Sequence, residues 1–164
     1  GFDAVIRSGP VADARVIARR LSPAHWVTVA SAKYLARRGV PKSINELSKH
    51  NCLRVRLSSS GLLNPWRFTE NGKPISIDVR GNLILDHGDP LVEAAVTGTG
   101  IVQLLTFFIR SYLADGRLQE VLSHNAPPPQ PLTLLYPPSR QYSAKLTVFR
   151  EALLSRWGDQ EADK

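Results

Sequence analysis

Short apolar runs alternate with helical patterns along most of this chain. The clearest strand is predicted at residues 26–30, which include the β-branched residues Val27, Thr28 and Val29. An apolar run at residues 101–105 predicts a buried strand. Further strands are predicted at residues 4–7, 16–18, 52–57, 66–69, 75–79, 83–85, 118–122 and 132–136. Strands that alternate with helical segments in this way indicate an α/β fold.

Capping residues predict where the helices of the first half begin and end. Ser31 is a predicted cap for a helix through Arg38, because a hydroxyl can accept from the backbone N–H groups of the first turn. Gly39 then ends this helix. Ser43 and Glu46 have capping-box spacing, with a hydroxyl at the cap and a carboxylate three residues later, and predict a helical turn.

Turn and capping residues also predict the element boundaries of the second half. Asn71-Gly72 predicts a tight hairpin turn between two strands. Asp89 is a predicted cap, followed by Pro90 at the first helical position, for a helix that Gly98 ends. Another helix is predicted at residues 107–114. Ser143 is the predicted cap of a final amphipathic helix, whose apolar face is formed by Leu146, Phe149, Leu153 and Leu154.

Charge is distributed unevenly over the 164 residues, which carry a formal net charge of +7. Residues 1–56 contain 11 Lys and Arg against 3 Asp and Glu, whereas residues 57–164 contain 10 against 11. A basic segment is consistent with nucleic-acid or anion binding, and equally with a solvated surface. No apolar run approaches the ~18 residues of a membrane span, so no membrane association is expected.

No pattern of enzymatic chemistry or metal binding is visible. His87 lies between Asp86 and Asp89, which fits a loop and a helix cap better than a metal site. Residues 98–100 lack the third glycine of a dinucleotide-binding turn, and the serine run at residues 58–61 lacks nucleophile-elbow spacing. We therefore predict no enzyme activity, no metal and no cofactor.

The single cysteine and two neighbouring arginines have simple interpretations. Cys52 lies in a predicted strand, so we expect a buried, inert thiol, and one cysteine fits a reducing cytosol. Arg54 and Arg56 alternate on the same strand. They form either an anion-binding pair or a solvated strand face.

A set of short motifs runs nearly end to end through the chain in one order and spacing. The motifs lie at residues 2–7 (FDAVIR), 34–39 (YLARRG), 50–53 (HNCL), 66–68 (WRF), 79–83 (VRGNL), 94–101 (AAVTGTGI), 116–118 (GRL) and 136–140 (YPPSR). Together they resemble the effector-binding domain of LysR-type transcriptional regulators, in the CrgA-like subgroup. The chain departs from that pattern at Ala32 and Thr106, where proline is usual, and at Thr97 and Thr99.

This resemblance implies a type 2 periplasmic-binding-protein-like α/β fold, with two lobes joined by two crossing strands at residues 26–30 and 132–136. The implied division is residues 1–29 and 134–158 for lobe I, 30–133 for lobe II, and 159–164 for a C-terminal tail. Methionine is absent even at position 1, so Gly1 is not expected to be the native start. The DNA-reading domain, a linker helix and the first strand–helix–strand are expected to be missing, which would leave lobe I incomplete.

The resemblance also implies a role in ligand sensing and oligomerisation, with an effector held between the lobes. The ligand contacts carried over in this way are Arg7, Ser8, Gly9, Ser58, Ser59, Ser60, Leu105 and Thr106. A guanidinium beside serine hydroxyls suits a small organic anion. The implied partners are DNA through the missing N-terminal domain, RNA polymerase, and further copies of the chain in a homodimer or homotetramer in the cytoplasm.

Two other classes of protein remain open from the residues alone. A periplasmic-type solute-binding protein has the same fold and would carry an export signal upstream. A basic nucleic-acid-binding module would use the N-terminal segment, although only Trp26 and Tyr34 lie among its arginines. The upstream sequence would distinguish these classes from the regulator.

Overall fold

The chain forms two compact units, which we describe separately. The structure, a computed structural model, describes residues 2–8, 15–57 and 60–157. Unit 1 comprises Gly1–Ala24 and Pro129–Lys164, and unit 2 comprises His25–Pro128. The chain therefore passes from one unit to the other twice, close to the predicted lobe boundaries at residues 29/30 and 133/134. The division into lobes stays a prediction, and the predicted tail at residues 159–164 lies outside the described residues.

Strands and helices alternate along the described chain, as the apolar pattern predicts. The strands are β1 (Val5–Ser8), β2 (Ile17–Ala24), β3 (Trp26–Ala30), β4 (Cys52–Val55), β5 (Trp66–Glu70), β6 (Lys73–Ile77), β7 (Ile84–Leu85), β8 (Ile101–Leu105), β9 (Gln119–Glu120) and β10 (Gln130–Tyr136). The α-helices are α1 (Ala32–Arg38), α2 (Gly88–Val96), α3 (Thr106–Ala114) and α4 (Ala144–Trp157). Short 3₁₀ helices lie at Ile44–Lys49, Ser123–Asn125 and Pro138–Arg140.

Unit 1 is a three-stranded antiparallel sheet in the order β1-β10-β2, with α4 packed on it. Leu146 and Leu153 of α4 are buried in this core, as predicted, together with Leu134 of β10. The prediction for Phe149 was wrong, because 47% of this residue is exposed. The helical period places Phe149 and Leu154 at opposite edges of the stripe that contains Leu146 and Leu153, and Leu154 is the one that packs against this core.

Unit 2 is built on a five-stranded sheet in the order β7-β4-β8-β3-β9, with the hairpin β5-β6 as a separate ladder. All residues of β3 and β8 are buried, which confirms the two strongest strand predictions. Alternate β3 residues belong to different core clusters. Val27 and Val29 pack in the cluster that contains Leu91 of α2, whereas Ala30 packs in the cluster that contains Trp66 and Phe68 of the hairpin. Both faces of this strand are therefore covered.

Two motif glycines are required by the close approach of neighbouring backbone. A Cβ atom on Gly81 would clash with the carbonyl oxygen of Cys52, and one on Gly100 would clash with that of Asn51. Both oxygens belong to the backbone that enters or begins β4. No larger residue fits at either position unless the backbone moves. The glycines of these two motifs therefore have a packing role in unit 2.

Three predicted caps differ in detail from the structure. Ser31 lies at the predicted cap of α1, but its hydroxyl makes no capping bond and is buried without a partner among the described residues. Its Oγ atom faces the turn at Gly98, where an added Cβ would lie 3.6 Å away. The carboxylate of Glu46 accepts from the backbone N–H of Lys42 at 2.7 Å, and not from that of Ser43 as a capping box would require. Helix α2 begins at Gly88, so Asp89 lies in its first turn and is not the cap.

The hairpin prediction is confirmed in conformation as well as in position. Asn71 and Gly72 have φ angles of 52° and 75°, the left-handed pair that a two-residue turn of type I′ needs. Cross-strand pairs of β5 and β6 run from Trp66 opposite Ile77 to Glu70 opposite Lys73. The turn thus sets the register that directs Trp66 towards the core of unit 2.

Candidate functional site

The predicted ligand residues of unit 1 lie at an exposed strand end. Arg7 and Ser8 are the last residues of β1, and both are exposed. Arg7 lies opposite Thr133 of β10, and Arg20 of β2 lies opposite Thr133 from the other side. Directly opposed residues share a face of a sheet, so two arginines flank Thr133 on one face. Gly9 lies outside the described residues.

The predicted residues Leu105 and Thr106 of unit 2 lie where β8 runs into α3. Leu105 is buried opposite Trp26, and Thr106 begins the helix. The backbone N–H of Thr106 donates to the carbonyl oxygen of His25 at 2.8 Å. That N–H is therefore already bonded within unit 2, and the hydroxyl is the group of Thr106 that a ligand would use.

Ser60 is an exposed turn residue. Its Oγ accepts from the N–H of Leu62 at 3.3 Å, a local bond typical of serine in turns. Ser58 and Ser59 lie outside the described residues. A ligand contact for any of the predicted residues therefore stays a prediction.

A polar cluster in unit 2 escaped the sequence analysis. We call it the Arg67 cluster, and it consists of Trp26, Thr28, Asn64, Arg67 and Gln103. Gln103 of β8 is 2% exposed, and its Oε1 accepts from the backbone N–H of Arg67 at 2.8 Å. Its Nε2 donates to the backbone oxygen of Arg67 at 2.9 Å and to Thr28 Oγ1 at 3.1 Å. This one amide therefore fixes the outer edge of β5 to the central sheet.

The side chain of Arg67 extends from this anchored backbone over the indole of Trp26. The guanidinium carbon lies 5.1 Å from the ring centroid, within the range of cation–π attraction. Its Nη1 donates to Asn64 Oδ1 at 3.1 Å. Burial lowers the pKa of Arg67, and no carboxylate of a described residue forms an ion pair with it. The indole Nε1 of Trp26 is buried without an acceptor among the described residues.

One sequence signal could have revealed this cluster. Gln103 is the single polar residue in the apolar run at residues 101–105, and a buried side-chain amide must find hydrogen-bond partners. The identity of those partners was not readable. Gln103 bonds with Arg67 and Thr28 across 36 and 75 residues of sequence.

Arg54 of β4 and Arg56, which follows that strand, have partners within the chain. Arg54 forms an ion pair with Asp78 at 3.1 Å, and Arg56 Nη1 donates to the carbonyl oxygen of Gly61 at 2.9 Å. These partners favour a structural role over an anion-binding pair. Cys52 is fully buried, as predicted, and burial raises the pKa of its thiol to about 12. The thiol is therefore protonated at neutral pH.

The sequence Asp86-His87 forms a local exposed pair. The two side chains are joined by a hydrogen bond of 2.8 Å between Nδ1 and Oδ1, and this bond raises the pKa of His87 and lowers that of Asp86. Within residues 2–8, 15–57 and 60–157, no group of three or more His, Cys, Asp and Glu side chains is arranged to hold a metal ion. Over the same residues, no helix has the length and apolar character needed to cross a bilayer.

Comparison with known proteins gives one consistent family. The family model of the LysR substrate binding domain matches residues 1–158. The chain is 30% identical over 153 residues to the HTH-type transcriptional regulator PgrR of Escherichia coli, covering 93% of this chain and 51% of that protein. The chain spans about half the length of the curated relatives it matches.

Solved structures give the same result for the fold. The regulatory domain of CrgA, a LysR-type regulator from Neisseria meningitidis, matches with a TM-score of 0.81 and 29% identity, over 95% of this chain and 76% of that one. Full-length AphB, a virulence activator of Vibrio cholerae, matches with a TM-score of 0.77 and 26% identity, over 94% and 52%. These matches confirm the predicted family and its periplasmic-binding-protein-like α/β fold. A family of regulator domains also agrees with the prediction that the chain is not an enzyme.

Proposed function

We propose, since this chain belongs to the LysR substrate binding domain family, that it senses a small effector for a DNA-binding transcriptional regulator. The observation that carries this proposal is the family match over residues 1–158, which includes nearly the whole chain. The relatives that share this segment are named HTH-type transcriptional regulators and are about twice as long. We assign DNA binding to a part of the protein other than these 164 residues.

The proposed mechanism is a shift between states of the assembled regulator. An effector changes such an equilibrium only if it binds one state more tightly than another. We propose that the intact protein is a homodimer or homotetramer in the cytoplasm, and that effector binding changes how its DNA-binding parts engage a promoter. RNA polymerase is a further proposed partner at that promoter.

The proposed effector is a small organic anion. The proposed contacts are Arg7, Ser8, Gly9, Ser58, Ser59, Ser60, Leu105 and Thr106. Arg7 and Arg20 support an anion because they flank Thr133 on one face and neither forms an ion pair with a described residue. A guanidinium binds a carboxylate through two parallel hydrogen bonds, which gives both affinity and orientation.

DNA binding is tested by a gel-shift titration at ~0.15 M salt, since phosphate contacts make affinity strongly salt-dependent. We expect the intact protein to bind specifically to particular fragments of a genomic DNA pool. The 164-residue chain alone should bind duplex DNA weakly and without sequence preference. Sequence-specific binding by the chain alone would instead favour a nucleic-acid-binding module.

Effector class is tested by thermal-shift screening of the intact protein against carboxylates, amines and neutral sugars. We expect carboxylates to raise the melting temperature, and Arg7→Ala to weaken the response ~10–100-fold in concentration. Arg140→Ala is the matched control, because Arg140 lies in the same unit but is already paired with Asp3 at 3.2 Å. Stabilisation by amines or sugars alone would contradict the proposal.

A further inference from the structure

The Arg67 cluster contains more hydrogen-bond donors than acceptors. Asn64 Oδ1 accepts from Arg67, so the Asn64 amide nitrogen remains a donor. Apart from that bond, the guanidinium N–H groups have no acceptor among the described residues, and neither does the buried Trp26 Nε1. Arg67 and Asn64 are partly exposed, so their unpaired N–H groups are open to a ligand from solvent. A group of unpaired donors around one cation therefore has the electrostatic character of an anion site.

The position of the guanidinium is fixed before any ligand arrives. Gln103 holds the Arg67 backbone through both its N–H and its carbonyl oxygen. The guanidinium lies over the Trp26 ring, and one of its nitrogens donates to Asn64 Oδ1. A charged group that is already oriented loses less conformational freedom on binding than a mobile surface arginine does.

Arg67 differs from Arg54 and Arg117 of unit 2 in having no carboxylate partner among the described residues. Arg37 and Arg56 also lack one, but each bonds to a backbone carbonyl oxygen. Arg54 pairs with Asp78 at 3.1 Å, and Arg117 pairs with Asp115 at 2.8 Å. Arg67 is half-buried, and the one hydrogen-bond partner of its guanidinium among the described residues is the neutral Asn64. A partly buried charge without a counter-ion is costly, and a bound anion would reduce that cost.

We infer that Arg67 binds the carboxylate of a small organic acid, with Asn64 as a second donor and Trp26 as the support that positions the guanidinium. This inference rests on the proposed function, because it names a group of unit 2 that binds an anionic group of the effector in addition to Arg7. It adds to the contacts taken from the family resemblance, none of which belongs to this cluster. The expected ligand group is a carboxylate, since its two oxygens match the planar fork of a guanidinium.

Fluorine NMR of the intact protein labelled with 5-fluorotryptophan tests this inference. The resonance of Trp26 is assigned as the one lost in Trp26→Phe. Acetate and benzoate are titrated to ~100 mM, because fragments of this size often bind only in the millimolar range. Acetamide and benzamide are the neutral counterparts. We expect both carboxylates to shift the Trp26 resonance saturably and both amides to leave it in place.

Arg67→Gln should weaken the carboxylate response by ~10–100-fold. Arg117→Gln is the matched control, since that arginine also lies over an aromatic ring but has its own carboxylate partner. The resonance of Trp66, which is buried in the core of unit 2, checks that each variant is folded. The inference is overturned if neither carboxylate moves the Trp26 resonance, or if Arg67→Gln responds as the unsubstituted protein does.

The proposed function can fail separately from this inference. Gel shifts of the same intact protein report DNA binding without reference to Arg67. Specific DNA binding without a Trp26 response to carboxylates would refute the role of Arg67, while the proposed regulator function would stand. A Trp26 response to carboxylates without specific DNA binding would refute the proposed regulator function, while the anion site at Arg67 would stand.

Discussion

Arg67 and Arg117 both lie over an aromatic ring, but only Arg117 has a carboxylate as its counter-ion. Each guanidinium lies over an aromatic ring, at 5.1 Å from the centroid of Trp26 and 4.1 Å from that of Tyr112. Arg117 bonds to Asp115 at 2.8 Å, whereas Arg67 bonds to the neutral Asn64. Aromatic stacking is therefore common to the two arginines, and they differ in counter-ion and in burial.

The two arginines also differ in how they are held. Asp115 is two residues before Arg117, so that pair closes locally around the turn after α3, and both side chains are about half exposed. Arg67 is anchored by Gln103 from a distant strand. Exposed ion pairs contribute little to stability, because water and salt screen the charges. We therefore expect substitutions around Arg67 to have larger effects than those around Arg117.

Gln103→Leu should have the largest effect. It removes the three hydrogen bonds of the Gln103 amide and leaves the Arg67 backbone and Thr28 without these partners. The expected loss is about 2–4 kcal/mol of unfolding free energy, measured by urea denaturation. Gln119→Leu, on the exposed strand β9, is the control and should change stability by less than about 0.5 kcal/mol. Equal stability of the two variants would show that the amide does not anchor β5.

Arg67→Lys distinguishes guanidinium geometry from charge. Lysine keeps the positive charge but lacks the planar fork, so we expect acetate and benzoate to bind ~10-fold more weakly, about 1.4 kcal/mol. The measurement is the titration of the fluorinated Trp26 resonance. Arg117→Lys is the parallel substitution and should leave carboxylate binding unchanged. Unaltered affinity in Arg67→Lys would mean that charge alone attracts the ligand.

Arg117→Met should have only a small effect on stability at neutral pH. The substitution removes an exposed ion pair and a stacked guanidinium, while the methionine side chain still covers part of Tyr112. Urea midpoints of this variant and of the unsubstituted protein should nearly coincide. If Arg117→Met lowered the urea midpoint as much as Gln103→Leu does, the expectation that substitutions around Arg67 have the larger effects would be wrong.

The smallest expected effect is the pH dependence of the Arg117 pair. The hydrogen bond from Arg117 holds the pKa of Asp115 below its ordinary value of 3.8. The stabilisation that the ionised Asp115 carboxylate gains from Arg117 is therefore present above pH 3.8, and it is lost as the pH falls through the lowered pKa. Arg117→Met and the unsubstituted protein should converge in stability at acidic pH. Arg67→Met should show no such convergence, because no described carboxylate pairs with Arg67.

Sequence patterns predicted the central strands of unit 2 well. The apolar runs at β3 and β8 are long enough, and rich enough in β-branched and aliphatic residues, to specify buried strands. Asn71-Gly72 specified its turn because few other residue pairs adopt two successive positive φ angles easily. The caps were less predictable. Ser31 and Ser43 have suitable hydroxyls, but neither makes a capping bond in the folded chain.

The sequence by itself determined the family, the α/β class and the buried strands at residues 26–30 and 101–105, because these depend on local pattern and on motifs in a fixed order. The tertiary structure alone decided which polar groups share an environment. Gln103 meets Arg67 and Thr28 because hairpin β5-β6 packs beside β3 and β8. Asp115, the counter-ion of Arg117, is two residues away in sequence. Arg67 has the local partner Asn64, but its contacts with Gln103 and Trp26 span 36 residues or more. No periodicity or spacing encodes such contacts, since they arise from the packing of whole elements.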